Sequence, residues 1–400
     1  MLYLVGIVIT FFLSLLLISK KNKSFADKIL ATWLVCTGLH LTFFYLYASG
    51  NYISFPYFLG VEIAMPLVQG PFLLLYTIAI TQSQKLTWRS LLHFLPFVVV
   101  LCVLVPFFSL SLADKILVYQ NGGVGYETLT GTVLVALSIS GITYIILSFL
   151  VLRRYSKVIR QQFSNTDKIN LNWLRYLIYG TTVIWVVILA GLADMYIFGT
   201  VVLYVFFLGF FGIKQVGVFS NGVVVNDNNG NVKLNEPLAV TATVIENEQT
   251  VEPQPEVLLQ ANNEKAKYQH STLNAKTGLE IYTQLKLLME SGQLYKSPEL
   301  TLADLAKELQ IHPNILSQVI NTYAQKSFYD YINDLRIEAF KIALSNPDNK
   351  QYTFLSLAFE CGFNSKTAFN RNFKKATGLS PTQYIQQLDN AIGDNFIPEA

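Results

Sequence analysis

The chain has 400 residues, of which 52% are hydrophobic and only 14% charged, where soluble domains carry roughly 25% charged residues. With a mean hydropathy of +0.39, this composition excludes a disordered or fibrous chain, and the three cysteines (Cys36, Cys102 and Cys361) exclude a disulfide framework and a four-cysteine zinc site. The net charge of +3 is spread unevenly: residues 1–218 hold 14 Lys+Arg against 6 Asp+Glu, 219–270 hold 3 against 7, 271–388 hold 12 against 10, and the last twelve residues add three acids.

Seven stretches of residues 1–213 carry no charge: Met1–Ser19, Ile29–Val61, Ile63–Gln84, Ser90–Ala113, Thr128–Leu152, Tyr176–Ala193 and Met195–Ile213. A helix needs about 20 mostly apolar residues to cross the ~30 Å hydrocarbon layer. The pattern predicts seven transmembrane helices, near 2–19, 29–48, 57–81, 90–110, 129–152, 174–193 and 195–213. A soluble protein with buried helices would not carry so many such runs in succession. Lys20, Lys21, Lys23 and Lys28 fill the first loop, Lys85 and Arg89 the third, and Arg153, Arg154, Lys157, Arg160, Lys168 and Arg175 the fifth, while the alternate loops hold only Lys115. Basic loops stay in the cytoplasm, so the expected topology puts the N-terminus outside and the C-terminal half in the cytoplasm. The first apolar run has its basic cluster after it, the reverse of a secretory signal, and is expected to be retained.

Ionisable residues inside spans are costly and usually functional. His40 in the second span, Glu62 near the start of the third and Asp194 at the outer turn before the seventh are the candidates for signal sensing. All three also have bland explanations, because Glu62 and Asp194 can reach the outer interface and a neutral His40 needs one hydrogen bond. Pro66 and Gly70-Pro71 favour a kink beside a cavity in the third span. No span contains the lysine a retinal Schiff base requires, and no carboxylate relay for ion pumping runs through the bundle. Val223–Val225 and Val232–Leu234 flank an Asn-Gly-rich stretch and suit a small hairpin. It lies within a segment, 219–272, expected to be a flexible acidic linker with Pro253, Pro255 and scattered Glu.

Residues 273–388 change period. Leu279, Tyr282, Leu285, Leu288 and Met289 predict an amphipathic helix over 273–290. Thr301 with Asp304 forms a capping-box pattern before the stripe Leu302, Leu305 and Leu309. Pro313 then opens a helix burying Leu316, Val319, Ile320 and Tyr323, making a helix-turn-helix. A linking helix near 327–345 follows, with Phe328, Tyr331, Ile332, Leu335, Ala339 and Ile342. The pattern then repeats: Thr353 caps a helix holding Leu355, Ala358 and Phe359, and Gly362 turns. Asn364 or Ser365 caps a helix burying Ala368, Phe369 and Phe373 that stops at Gly378, and Ser380-Pro381 starts a last helix. An acidic tail occupies 389–400.

The outward faces of the two second helices carry Asn314, Ser317, Gln318 and Asn321, and Lys366, Thr367, Asn370, Arg371 and Lys374. Asn and Gln suit adenine edges, Arg suits guanine and Lys suits phosphate. One such face alone is as readily a solvated surface; two, each on the second helix of a helix-turn-helix, point to DNA. A domain net charge of only +2 points to action as a homodimer or under a tether.

Two stretches now resemble a known family. "LTLADLAKELQIHPNILSQVIN" and, more specifically, "AFECGFNSKTAFNRNFKKATGLSPTQY" (358–384) are similar to the DNA-binding domain of AraC/XylS-type regulators. The matching positions of the second are Ala358, Gly362, Phe363, Ser365, Phe369, Arg371, Phe373, Lys374, Gly378, Ser380, Pro381 and Tyr384. The whole layout resembles the membrane-anchored subgroup, and "QGPFLLLY" (69–76) is weakly similar to its third span. The resemblance implies base contacts from Asn314, Ser317 and Gln318 and from Lys366, Thr367, Asn370 and Arg371. His312-Pro313 departs from the usual start of the first recognition helix, and the soluble sugar-binding barrel is absent.

The expected fold is all-α: a seven-helix transmembrane sensor region (1–218), the linker (219–272), a cytoplasmic double helix-turn-helix domain (273–388) and the tail. The expected function is a membrane-bound one-component transcription regulator with promoter DNA, the lipid bilayer and an unidentified signal ligand as partners. No catalysis, cofactor or metal is expected, because no triad or ligand cluster is visible and His40, His93, His270 and His312 are scattered. The rivals are a membrane receptor whose helix-turn-helix unit docks a protein, and a transporter or membrane enzyme with an appended regulator.

Overall fold

The computed structural model describes residues 2–21, 23–82, 87–167, 171–214, 224–226, 232–234 and 275–392. It divides into two compact units, Met1–Tyr155 with Leu171–Ala239, and Ser156–Asn170 with Val240–Ala400. The expected tail beyond 392 and most of the expected linker lie outside the described residues. The hairpin expected there is present as β1 (Val224–Asn226) antiparallel to β2 (Val232–Leu234), with Val224 opposite Leu234.

The first unit is built on helices α1 (Leu2–Ser19), α2 (Phe25–Ala48), α3 (Pro66–Gln82), α4 (Leu95–Val103), α5 (Leu112–Gln120), α6 (Glu127–Gln162), α7 (Asn172–Leu189) and α8 (Asp194–Lys214). Leu, Ile, Val and Phe fill them, and each helix pairs its interior backbone N–H and C=O groups within itself. Among the described residues, four helices (α1, α2, α6 and α7) are long and apolar enough to cross a membrane. A fifth candidate is the bent pair Pro56–Ala64 and Pro66–Gln82, and Trp88–Val103 and Asp194–Phe210 are shorter apolar helices. These segments fall on the seven uncharged runs, but among the described residues only four, or five with the bent pair, are long and apolar enough to cross a membrane.

Two local departures have proline causes. The bend in the third segment measures 49° and falls at Met65–Pro66, whereas α3 continues unbroken through Gly70-Pro71. Pro66 lacks the N–H that would continue the preceding turn. The fourth segment is three pieces: a 3-10 stretch Trp88–Phe94, then α4, then a short turn Val105–Phe108. Pro96 and Pro106 each occupy the first turn of a new piece, where a missing N–H costs nothing. Helix α5 was not expected; Ser111 caps it by accepting from Asp114 N.

Small residues admit close helix approach, as membrane interfaces favour. A Cβ on Gly141 of α6 would lie 2.1 Å from the Trp185 ring of α7, and one on Gly6 of α1 would lie 2.6 Å from Val202 of α8. Buried polar groups add cross-links: Ser14 Oγ donates to Ala31 O at 3.0 Å, and Trp173 Nε1 donates to Tyr76 Oη at 3.2 Å.

The second unit holds α9 (Ala275–Gly292), α10 (Leu302–Glu308), α11 (Pro313–Val319), α12 (Phe328–Ser345), α13 (Phe354–Glu360), α14 (Lys366–Thr377) and α15 (Pro381–Ile392). Two helix-turn-helices, α10–α11 and α13–α14, share α12. Its first half puts Phe328, Tyr331 and Ile332 into one core with Leu285, Met289, Leu305 and Leu316. Its second half puts Ile337 and Phe340 into another with Ala358, Phe363, Phe369 and Phe373. Because one helix serves two cores, its buried face shifts along its length. Ile342, expected inside, is 74% exposed, and Leu279 and Phe359 are likewise exposed. Ile281 and Leu357, not singled out beforehand, are buried beside their expected places.

Ser156–Asn170, expected as a loop of the membrane region, belongs with the C-terminal residues. Ser156–Gln162 are the last two turns of α6, and Phe163 makes an isolated antiparallel bridge with Thr301.

Candidate nucleic-acid interface

The caps that start each helix set the outward faces. Thr301 Oγ1 accepts from Asp304 N at 3.2 Å while Thr301 N donates to Asp304 Oδ2 at 2.9 Å, a complete capping box. His312 caps α11: its Nδ1 accepts from Asn314 N at 3.2 Å, and Pro313 takes the first helical position. The family departure at 312–313 is thus a working helix start. In the second helix-turn-helix Thr353 caps α13, and the choice between Asn364 and Ser365 falls on Ser365, whose Oγ accepts from Ala368 N at 3.1 Å. Gly378 ends α14 at φ +79°.

With both starts fixed, Leu316 and Val319 of α11 and Ala368, Phe369 and Phe373 of α14 point into their cores. The opposite faces present Asn314, Gln318 and Asn321 exposed and Ser317 half-buried, and Lys366, Thr367, Asn370, Arg371 and Lys374 exposed. After Val319 the chain widens into a π-helical turn, Ile320–Ala324. Asn321 Nδ2 reaches Ser317 Oγ at 3.4 Å.

The two faces differ in charge. Helix α11 (PNILSQV) has no ionisable residue, whereas α14 (KTAFNRNFKKAT) has Lys366, Arg371, Lys374 and Lys375 and no acid. The low net charge of the domain therefore hides a concentrated positive strip on α14. A helix N-terminus also favours anions. The arrangement suits α14 to phosphate and guanine, and α11 to base edges through neutral amides and a hydroxyl.

Several residues that sequence reasoning missed support this surface. Arg371 Nη2 donates to Tyr329 Oη at 2.8 Å and lies 3.5 Å from Asp167 Oδ1. Asn372, buried on the inner side of α14, donates to the same Tyr329 Oη at 2.8 Å. Arg336 is 2% exposed, and burial pulls its guanidinium down to about 10, still ionised at neutral pH. It donates to Tyr295 O and Ser297 O, each at 2.7 Å, and to Ser164 Oγ at 3.1 Å. A buried charge at i+4 from Ile332 reads as core-breaking in sequence; only the surrounding carbonyls explain it.

The three sensing candidates in the first unit come together. Glu62, His40 and Asp194 all line one cavity of about 590 Å³, along with Trp33, Gln69 and Tyr119. Tyr119 Oη donates to Glu62 and accepts from Gly60 N at 2.9 Å. Trp33 Nε1 and Thr37 Oγ1 donate to Gln69 Oε1 at 2.6 and 3.2 Å. His40 meets the Phe198 ring edge-on at 5.1 Å. Pro66 lines the cavity, whereas Gly70 packs against Tyr144. Among the described residues, no group of three or more His, Cys, Asp or Glu is placed to hold a metal ion.

Residues 305–387 match the family described as "Helix-turn-helix domain". They are a helix-turn-helix domain. The chain is 34% identical over 93 residues to the uncharacterised HTH-type transcriptional regulator YijO of Escherichia coli K12, covering 23% of this chain and 32% of that protein. It is 31% identical over 85 residues to the melibiose operon regulatory protein of the same organism, covering 21% and 27%. It is 32% identical over 89 residues to the uncharacterised HTH-type transcriptional regulator YtdP of Bacillus subtilis 168, covering 22% and 11%. The chain thus spans a third or less of the length of these relatives. No solved structure matches it.

Proposed function

We propose that this chain is a membrane-bound one-component transcription regulator, its apolar N-terminal half anchoring and sensing and its C-terminal domain binding promoter DNA. The observation that carries the reading is the duplication. Two helix-turn-helices share α12, each exposes a polar face on its second helix, and residues 305–387 match a helix-turn-helix family. A module that only docks proteins has no need of two such faces, one neutral and one strongly basic. The two recognition helices would enter successive major-groove turns, about 34 Å apart on one face of the DNA. Base contacts are assigned to Asn314, Ser317, Gln318, Asn321, Thr367 and Asn370, phosphate contacts to Lys366 and Lys374, and a base or phosphate contact to Arg371.

In this reading all seven apolar segments cross or enter the bilayer, with the N-terminus outside and the DNA-binding domain in the cytoplasm. Cysteines introduced at 51 or 121 should label from outside intact cells, and one at 157 should not. The cavity bordered by Glu62, His40 and Asp194 is the proposed signal site. Its mostly apolar wall suits a lipophilic molecule, with carboxylate and amide acceptors to orient a donor group on it. Glu62→Gln and His40→Ala should alter regulated transcription; if both leave it unchanged across inducing conditions, the sensing role fails.

Mapping chromosomal sites bound by the full-length protein tests the central claim. Enrichment at promoters is expected, and a Lys366→Ala, Arg371→Ala double variant should lose it. Equal enrichment by that variant would show that α14 does not read DNA and would favour the protein-docking rival.

A further inference from the structure

We propose that the segment Phe163–Asp167 is a built-in competitor of DNA for the second recognition helix, anchored at Ser164 and acting through the Asp167 carboxylate. The proposal rests on the DNA-binding reading of α14.

The anchor is a seat, not a grazing contact. Ser164 is 1% exposed and Phe163 8%. Ser164 N and Oγ both donate to Leu300 O, at 3.2 and 2.6 Å. Asn333 Nδ2 donates to Ser164 O at 2.9 Å, and Arg336 Nη2 to Ser164 Oγ at 3.1 Å. The partners come from the entry to α10 and from the middle of α12, so the domain surface holds a shaped place for this segment.

Three residues on, the segment delivers an anion. Asp167 N donates to Asn165 Oδ1 at 3.0 Å, a local turn that fixes the approach. The Asp167 carboxylate accepts from Ser365 Oγ, the N-cap of α14, and lies 3.5 Å from Arg371 Nη2. Arg160, in the last turns of α6, sits over the Tyr329 ring at 5.4 Å, and Tyr329 Oη accepts from Arg371 Nη2 at 2.8 Å. A hydroxyl at a helix N-cap, the helix dipole and an arginine on the same face are the groups a DNA phosphate would use. The carboxylate occupies that place and adds a negative charge to a surface that must approach a polyanion.

The two halves of the contact differ in strength. The Ser164 seat is buried and multiply bonded. The Asp167–Arg371 pair is long, and its side chains are 23% and 44% exposed, so it is weak and readily given up. The geometry therefore suits an arm that leaves Ser365 and Arg371 while its base stays seated. Ser156–Gln162 continue α6, whose earlier residues belong to the membrane unit, so the chain itself links the arm to the proposed sensor.

The test uses the full-length protein in lipid nanodiscs and a duplex that the wild type selects from random-sequence DNA. Asp167→Asn keeps the shape and removes the charge. Its Kd should tighten on the order of 2–5-fold. Its salt dependence should steepen by about one phosphate contact, because Arg371 is released to the backbone. As a second measurement, Asp167→Cys with Ser365→Cys should bind DNA several-fold more weakly when oxidised than when reduced. If Asp167→Asn binds no tighter with an unchanged salt slope, or the oxidised double variant binds as well as the reduced one, the segment is a structural strut and the proposal is wrong. A wild type that selects no duplex would instead overturn the DNA reading itself, and this proposal with it.

Discussion

Gly362 sits in the turn between α13 and α14 at φ +97°. A Cβ there would lie 2.7 Å from Tyr295 O, 2.8 Å from Lys296 O and 2.9 Å from Arg336 Nε. None of these can yield cheaply: two are backbone carbonyls, and Arg336 Nε is committed to Tyr295 O at 2.7 Å. Gly362→Ala should therefore incur both a positive-φ strain of about 1–3 kcal/mol and an overpacking cost of about 1–3 kcal/mol, together about 2–6 kcal/mol. Gly378 supplies the control. It has φ +79° but open space around its Cα, so Gly378→Ala should incur only the strain, about 1–2 kcal/mol. Hydrogen exchange on the full-length protein in nanodiscs reads both through the α14 amides. Gly362→Ala should speed their exchange about 5- to 140-fold more than Gly378→Ala does, since the extra overpacking cost of about 1–3 kcal/mol converts at about 1.4 kcal/mol per factor of ten. Equal protection in the two variants would refute the claim that close approach to the 295–296 carbonyls and Arg336 dictates glycine at 362.

The recognition helices should separate by assay. Asn314→Ala or Gln318→Ala should relax sequence preference at a cost of about 1–3 kcal/mol with the salt slope kept, whereas Lys366→Ala or Lys374→Ala should weaken all duplexes alike and lower the slope by about one. Ser356→Ala, on α13 away from that face, should leave DNA affinity near wild type in the same titration. Ser164→Ala removes a hydroxyl bonded to both Leu300 O and Arg336 and should destabilise the C-terminal unit by about 1–3 kcal/mol, measured as faster exchange of the α12 amides. Burial pushes the Cys361 thiol up to about 11, so in the folded protein it should alkylate slowly at pH 8 and react quickly only once denaturant exposes it.

Local chemistry made much of this protein legible from its sequence. Uncharged runs long enough for a bilayer announced the apolar segments, because the absence of charge is a property each stretch carries by itself. Caps were equally local: Thr301 with Asp304 and Thr353 with Ser356 bond across three residues, so the sequence located those helix starts, while for α14 it narrowed the cap to Asn364 or Ser365, of which Ser365 bonds Ala368. The helix starts in turn set the faces of α11 and α14, which is why their outward polar rows were readable before any fold was known.

Tertiary structure decided what depends on distant neighbours. Pro66 and Pro71 both lack an N–H, yet the bend falls at Pro66 and the helix runs on through Pro71. Glu62, His40 and Asp194 are far apart along the chain, and only helix packing brings them to one cavity. Ile342 satisfied the helical period but lies outside, because two cores sharing α12 rotate its buried stripe, and Leu279 of α9 likewise satisfied the period yet is exposed. The join of Phe163–Asp167 to the C-terminal unit was least legible of all. Its bonds span 136 to 204 residues of sequence. No periodicity or cap encodes such a pairing; it exists because the carbonyl of Leu300, the buried guanidinium of Arg336 and the cap hydroxyl of Ser365 need partners that the folded chain brings within reach.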